Sequence, residues 1–323
     1  MRALVIGAAG QDGWYLCRQL EAAGTAVDRL ARTGLTRGSA RAPIAAALDD
    51  RPAMRRLIGE GSYDEIYYLA AVHHAAQQRL AGDNDVARLS FAAHVGGLMN
   101  VLDAMVAASS PAAIVYAASS HVFGIVGRGP QTEATPHAPV CAYGISKAAG
   151  AALCRLYRRE HGLRASAALL YNHESPRRAP AFLSRKVACA VAAIARGGRE
   201  RLVLGLLDAR VDWGYAPEYT DAMRRIAAQD AADDFVIASG RPTSVRDFVA
   251  AAFGHAGLDW QAHVTVDPAL VQKVERGPLF GDAAKLRRLT GWTATTTAGA
   301  LAALMVDAEL GSAGAGARDD ALR

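Results

Sequence analysis

Four residues of one segment carry groups that can move a proton at an alcohol carbon: Ser119, His121, Tyr143 and Lys147. Ser119 and His121 follow the apolar run Ala112-Ala113-Ile114-Val115-Tyr116, which predicts a buried strand. They therefore lie just past a strand's carboxyl end, where open α/β sheets place their ligands. Tyr143 and Lys147 stand four apart at the start of a predicted helix running to about Glu160, so they share one face. An ammonium beside a phenol favours the phenolate and is expected to lower the tyrosine from its ordinary pKa of about 10. Tyr143 then acts as acid or base at a sugar or alcohol carbon, with Ser119 holding the same oxygen. Any amphipathic helix can carry Tyr-x-x-x-Lys, so the meaning of the pair rests on the elements that place it.

Those elements begin with Leu4-Val5-Ile6, which runs into Gly7-Ala8-Ala9-Gly10-Gln11-Asp12-Gly13 and a predicted helix from Trp14 to Ala23. Strand, glycine turn and helix make a phosphate-cradling unit, because a pyrophosphate approaching this closely tolerates no Cβ. Gly7, Gly10, Gln11, Asp12 and Gly13 are thus candidate cofactor contacts. The next strand, Ala26 to Leu30, leads to Arg32 rather than to the acid that would bind ribose hydroxyls. A guanidinium suits a 2′-phosphate, so NADP is expected over NAD, the alternative being a solvated surface arginine. Asp49, ahead of a helix predicted over Ala53 to Ile58, joins the cofactor candidates. A third strand, Glu65 to Leu69, ends in Leu69-Ala70-Ala71, small enough for a cofactor to lie flat against the backbone, and then His74. The stretch from Val86 to Ala108 reads as one long helix, on which His94 is a packing or capping group.

With a further strand from Ala165 to Leu170, the alternation predicts an α/β fold with a doubly wound parallel sheet. Behind that strand, Tyr171-Asn172-His173-Glu174-Ser175-Pro176-Arg177-Arg178 places polar and charged residues where a binding loop lies. The expected organisation is a dinucleotide-binding domain over 1–170 with a return segment near 208–232. A smaller C-terminal α/β substrate lobe would take 171–207 and 233–310, and a flexible tail 311–323.

In 323 residues with a net charge of +5, no basic block is interleaved with aromatics, which argues against nucleic acid and for anionic small molecules. No apolar run reaches the ~18 residues that span a bilayer, so no membrane partner is expected. The chain opens directly on a strand-like segment, and no signal peptide is expected. Cys17, Cys141, Cys154 and Cys189 lack metal-ligand spacing, which predicts reduced thiols, a cytoplasmic location and no metal.

Several runs together resemble a family. Gly10-Gln11-Asp12-Gly13, Ser119 to Gly124, Tyr143-x-x-x-Lys147, Asn172 to Arg178, Arg185-Lys186 and Leu207-Asp208-Ala209-Arg210-x-Asp212-Trp213-Gly214 look like GDP-mannose 4,6-dehydratases. These belong to the extended short-chain dehydrogenase/reductases, and the similarity covers nearly the whole chain. It implies a Rossmann lobe and NADP-dependent chemistry on a nucleotide sugar, GDP-mannose or a GDP-heptose. Tyr143, with Lys147 and Ser119, would take the proton from the 4-hydroxyl while C4 gives up hydride. The ketone acidifies C5, water leaves from C6, and the hydride returns there. His173 and Arg178 would contact cofactor, and His74, Asn172, Glu174, Ser175, Arg185, Lys186 and Lys273 the substrate side.

The departures fall at informative places. The family carries Glu as the acid/base for elimination where this chain has His121. A neutral imidazole can take a proton, while a pocket-edge histidine without a chemical role is the alternative. Val211 replaces an arginine of the family, and a second arginine is missing at Gln272-Lys273-Val274-Glu275 unless Lys273 or Arg276 substitutes for it. The loop after Arg32-Thr33 is shorter than the family's, so a homodimer is expected rather than a tetramer. The leading expectation is a dehydratase (a lyase). Its rivals are a 4-ketoreductase, 4-dehydrogenase or epimerase, and a non-catalytic dinucleotide sensor or scaffold.

Overall fold

Parallel strands covered on both faces read as unbroken apolar runs, and three such runs form the middle of this protein. β1 (Arg2–Ile6), β4 (Glu65–Tyr68) and β5 (Ala113–Ala117) are buried almost throughout. The structure is a computed structural model that describes residues 1–32, 34–37, 47–72, 83–127, 129–270 and 279–312. β2 (Ala26–Ala31) pairs with β1, and β6 (Arg164–Leu170) with β5, all parallel. β3 (Gly34–Arg37) closes one edge antiparallel to β2, and β11 (Asp234–Ile237) closes the other parallel to β6. The strand order is β11-β6-β5-β4-β1-β2-β3. Register brings the carboxyl ends level, with Ile6 opposite both Leu30 and Tyr68, and Tyr68 opposite Tyr116. The order reverses beside β1, which opens a crevice at that edge.

The helices cover the sheet in two groups. α1 (Gln11–Ala22) packs with α7 (Ala216–Ala227), and α2 (Arg51–Gly61) with α4 (Gly97–Ala107), which also touches α5 (Ala142–His161). The helix expected over 86–108 is α3 (Asp83–Phe91) and α4 joined by a π-helical turn, Ala92–Gly96. Asp85–Ala107 is long and apolar enough to cross a membrane, but Leu98, Val101, Leu102 and Met105 are buried in the core.

A second core gathers α6 (Leu183–Ala195), α8 (Val245–His255) and α11 (Ala298–Ser312) around β8 (Leu202–Leu204) paired with β13 (Val264–Val266). Trp213 stacks on Phe248 there at 4.5 Å. Two short ribbons link the cores: β7 (His173–Glu174) with β10 (Gly214–Tyr215), and β9 (Arg210–Asp212) with β12 (Pro242–Ser244). α9 (Trp260–His263) and α10 (Ala284–Thr290) complete the fold.

The expected boundary at 232 needs correction. β11 lies beyond it yet forms an edge of the main sheet, and Leu286 of α10 and Trp292 are buried in the first core. The run Phe235-Val236-Ile237 is too short for periodicity to show which sheet it joins. The tail also begins later than expected, because Gly311 and Ser312 end α11; 313–323 lie outside the described residues.

Asp212, 1% exposed, pins the junction. Its carboxylate accepts from Ser239 N at 2.8 Å, Ser239 Oγ at 2.6 Å, Gly240 N at 3.0 Å and Gly281 N at 3.2 Å. Asp212→Ala leaves these buried donors unpaired and is expected to cost about 3 kcal/mol, read as a lower urea midpoint with unchanged slope. An unchanged midpoint would mean that the junction is held otherwise.

Candidate functional site

The crevice beside β1 is a groove of about 710 Å³. Gly7, at φ +93°, comes so close to β4's end that a Cβ would stand 2.7 Å from Ala70 N; on Gly13 it would stand 2.4 Å from Gly7 O. These two glycines seat α1 under the turn, which starts the helix at Gln11 rather than at the expected Trp14. Gly10 caps α1 and faces the groove with Gln11, Asp12 and Gly13, so backbone amides and the helix dipole meet an anion there. Arg32 lines one end; Leu69, Ala70, Ala71 and Arg178 line the wall. The cradle fits a dinucleotide pyrophosphate, with guanidinium groups available to phosphate. Asp49 does not line it: it is exposed, and Ala47 and Leu48 take that wall.

Ser119, His121, Tyr143 and Lys147 do meet past the end of β5. Cys141 caps α5 by accepting from Gly144 N at 3.4 Å, and a Cβ on Gly144 would lie 2.5 Å from the His121 carbonyl oxygen. The absence of that Cβ lets α5's first turn sit directly on the turn after Ser119. Ser119 Oγ accepts from His121 N at 3.3 Å, and its hydroxyl bonds Tyr143. The His121 and Tyr143 rings meet edge-on at 5.6 Å, and His121 Nδ1 is 3.9 Å from Cys141 Sγ. Lys147, 2% exposed, donates to the Ala117 carbonyl at 2.6 Å.

The electrostatics correct one expectation. Burial raises Tyr143 to about 12, although the Ser119 bond pulls it down. Burial likewise lowers Lys147 to about 7, with Asp12 opposing. Desolvation of both groups therefore outweighs the stabilisation of a phenolate by a neighbouring ammonium.

Val72 and Ser146 went unmarked in the sequence, and His94 was marked without its link to Tyr143. His94 is fully buried in the π turn, accepting from Val72 N at 3.2 Å through Nε2. Nε2 is thus unprotonated toward Val72, and Nδ1 donates to Ser146 Oγ at 2.8 Å, which donates to the Tyr143 carbonyl at 2.9 Å. His94 is the packing group expected, but it packs edge-on to Tyr143 at 5.4 Å. The available signal for His94 and Ser146 was a polar group interrupting an apolar stretch; Val72 contributes only its backbone N–H and left none.

The polar loop behind β6 turns inward. His173 donates to the Tyr171 carbonyl at 2.7 Å and to Asp12 at 3.0 Å, and its ring stacks on Tyr219 at 4.7 Å. Buried Ser175 donates to Gln11 at 2.8 Å, and buried Glu174 accepts from Ser184 at 2.6 Å and faces Arg178 Nε at 3.1 Å. Arg185 holds the Pro176 and Arg178 carbonyls and pairs with Glu309, while Lys186 donates to the Val203 carbonyl at 2.8 Å. Of the residues expected on the substrate side, Glu174 and Ser175 are buried and paired within the protein, because unpaired polar groups at that depth would be costly, while Arg185 and Lys186 are half-buried and hold backbone carbonyls. Asn172 is exposed. His74 and Lys273 lie outside the described residues. Val211 is half-buried against the second core. Among the described residues no acidic, histidine or cysteine cluster forms a metal site.

Residues 4–305 match the family model described as GDP-mannose 4,6 dehydratase. The chain is 33% identical to GDP-mannose 4,6 dehydratase 1 of Arabidopsis thaliana, covering 95% of this chain and 89% of that one. It is 32% identical to GDP-mannose 4,6-dehydratase of Sinorhizobium fredii, over 95% and 96% of the two chains. In fold it is similar to RMD from Pseudomonas aeruginosa complexed with NADPH, at a TM-score of 0.82 and 22% identity, over 96% and 99% of the chains.

The Asp12–His173 pair carries a pH signature. Burial opposes both charges, but each partner outweighs it: Asp12 is held below its ordinary 3.8 and His173 above its ordinary 6.5. The aspartate's contribution fades as pH falls through its folded value, and the histidine's fades as pH rises through its own. The stability gap between the natural chain and Asp12→Asn should thus be widest between 3.8 and 6.5, at about 2 kcal/mol, and narrow on both sides. Thermal melts across pH measure it; a pH-independent gap would contradict the ion pair.

Proposed function

The chain belongs to the GDP-mannose 4,6-dehydratase family, and we propose that it is a nucleotide-sugar dehydratase using NADP on a GDP-hexose or GDP-heptose. The observation that carries this reading is the meeting of Ser119, Tyr143 and Lys147 beside a dinucleotide-shaped groove. Arg32 in the groove's lining supports NADP over NAD. Gly10, Gln11 and Arg178 would hold the dinucleotide's phosphates. A nicotinamide dinucleotide held there would supply the hydride chemistry, removal from C4 and return at C6.

The chain's own residues handle the protons. Tyr143 takes the proton of the 4-hydroxyl, and Ser119, already bonded to Tyr143, steadies the same oxygen. Burial keeps Tyr143 a phenol (about 12) and makes a neutral amine accessible at Lys147 (about 7), so Tyr143 passes its own proton toward Lys147 as it takes the one from the 4-hydroxyl. With a ketone at C4, the C5 proton is acidic. His121, edge-on to Tyr143, takes it and protonates the departing C6 hydroxyl, a role that a carboxylate plays in the family, and a proton from solvent fills C5 when hydride reaches C6.

Exposed Leu89, Phe91, Met99, Ile145 and Leu156 on α3, α4 and α5 support a homodimer through these helices. Four free cysteines support a reducing, cytoplasmic setting.

Incubating the purified protein with NADP and GDP-mannose, or a GDP-heptose, should yield a 4-keto-6-deoxy sugar. Tyr143→Phe should slow that conversion at least about 10²-fold with the fold intact. Turnover limited to net NADPH oxidation on a 4-keto sugar would instead mean a ketoreductase and overturn the dehydratase.

A further inference from the structure

Lys147 stands over two aromatic faces, Tyr143 at 5.8 Å and Tyr116 at 5.0 Å. Tyr143 changes protonation during the proposed reaction, so its ring is an inconstant neighbour. Tyr116 is a constant one. It is fully buried in the middle of β5, paired with Tyr68 and Ala167 across the sheet, and its ring leans on Tyr68 at 5.9 Å. Its buried hydroxyl finds no hydrogen-bond partner among the described residues, and burial pushes its pKa far above the ordinary range, so the ring stays neutral. A hydroxyl with no partner is a poor reason to place tyrosine here; a ring face toward an ammonium is a better one.

The facing helix has made room for that ring. A Cβ on Gly150 would lie 2.3 Å from the Tyr116 hydroxyl. Gly150 sits three residues beyond Lys147 on the same helical face, so α5 presents both the cation and the space for its aromatic partner.

We propose that Tyr116 is a positioning residue of the reaction, whose ring face holds the charge on Lys147 and fixes its ammonium between the Ala117 carbonyl and Tyr143. The inference rests on the role of Lys147 in the proposed dehydratase. Other groups act on the same centre: Asp12 from α1, Tyr143 and Cys154 from α5, His94 from the π turn, His121 from the turn after β5, and Arg178 from the loop behind β6. Each is left in place when only Tyr116 is changed.

The chain has four lysines, Lys147, Lys186, Lys273 and Lys285, so lysine-selective 13C NMR of the full chain can follow Lys147 directly, assigned through Lys147→Arg. Tyr116→Leu is expected to lower the midpoint of Lys147 by roughly one pH unit, about a tenfold weaker hold on its proton, and to shift the pH profile of C4 oxidation with it. Tyr116→Phe keeps the ring and should leave both in place. Coincident titrations of all three proteins would overturn the proposal, as would a Phe variant that moves as far as the Leu variant. If Tyr116→Leu does not fold, fluorinated phenylalanines at 116 keep the shape and weaken the ring's negative face. The midpoint should then fall with fluorine content, and a flat series would overturn the proposal. Absence of turnover on any GDP-sugar would sink the dehydratase reading alone, since the NMR titration needs no substrate.

Discussion

A lysine side chain ending in a nearly dry pocket constrains everything around it. Moving an ammonium out of water costs several kcal/mol even after the protein relaxes, and one carbonyl and two ring faces return only part of that. The imbalance shows in the titration: Lys147 falls to about 7 while Tyr143 rises to about 12, so burial drives both toward their neutral forms. A tyrosine that stays a phenol can take an alcohol proton only by passing its own on, and the neutral amine that burial makes accessible at Lys147 is the group beside it that can receive one. The surrounding geometry serves that state. Gly144 lets α5 reach the turn after Ser119, Gly150 admits Tyr116, and the level strand ends set the pair beside the groove.

A second polar system holds the groove's other wall. Asp12 and His173 tie α1 to the loop behind β6, and Gln11 joins the same loop through Ser175 and the His173 carbonyl. Arg185 then anchors that loop to α11 through Glu309. The loop is therefore strapped to both cores, and Arg178, which it carries, is presented to the groove on a rigid support. Preorganisation of this kind spares the cost of ordering the arginine when a phosphate binds.

Much of this was legible in the sequence. The glycine turn, Arg32, the strand before Ser119 and the Tyr143–Lys147 spacing all follow from local rules of chain geometry, and the structure places them together. What was not legible depends on direction and partner. Asn172 to Arg178 is plainly a polar loop, but whether Glu174 and Ser175 face a ligand or the framework depends on Ser184 and Gln11, which are distant in the chain or on another element. Asp49 misses the groove by register, since Ala47 and Leu48 occupy the wall. That β11 joins the main sheet was hidden because its three apolar residues fit either core. The π turn that swings His94 toward Tyr143 leaves no periodic mark, and the depression of Lys147 is a property of burial rather than of spacing.

In the proposed reaction two chemistries would meet at one sugar: a hydride transfer whose protons Ser119, Tyr143 and Lys147 would handle, and an elimination assigned to His121 in place of a carboxylate. They are joined only if the hydride taken at C4 is the one delivered to C6 within a single binding event. Turnover of GDP-mannose deuterated at C4, followed by mass and NMR analysis of the product, tests this most directly. Deuterium recovered at C6, with solvent hydrogen at C5, is the predicted result. Deuterium found only in released NADPH, with C6 still bearing its hydroxyl, would contradict it.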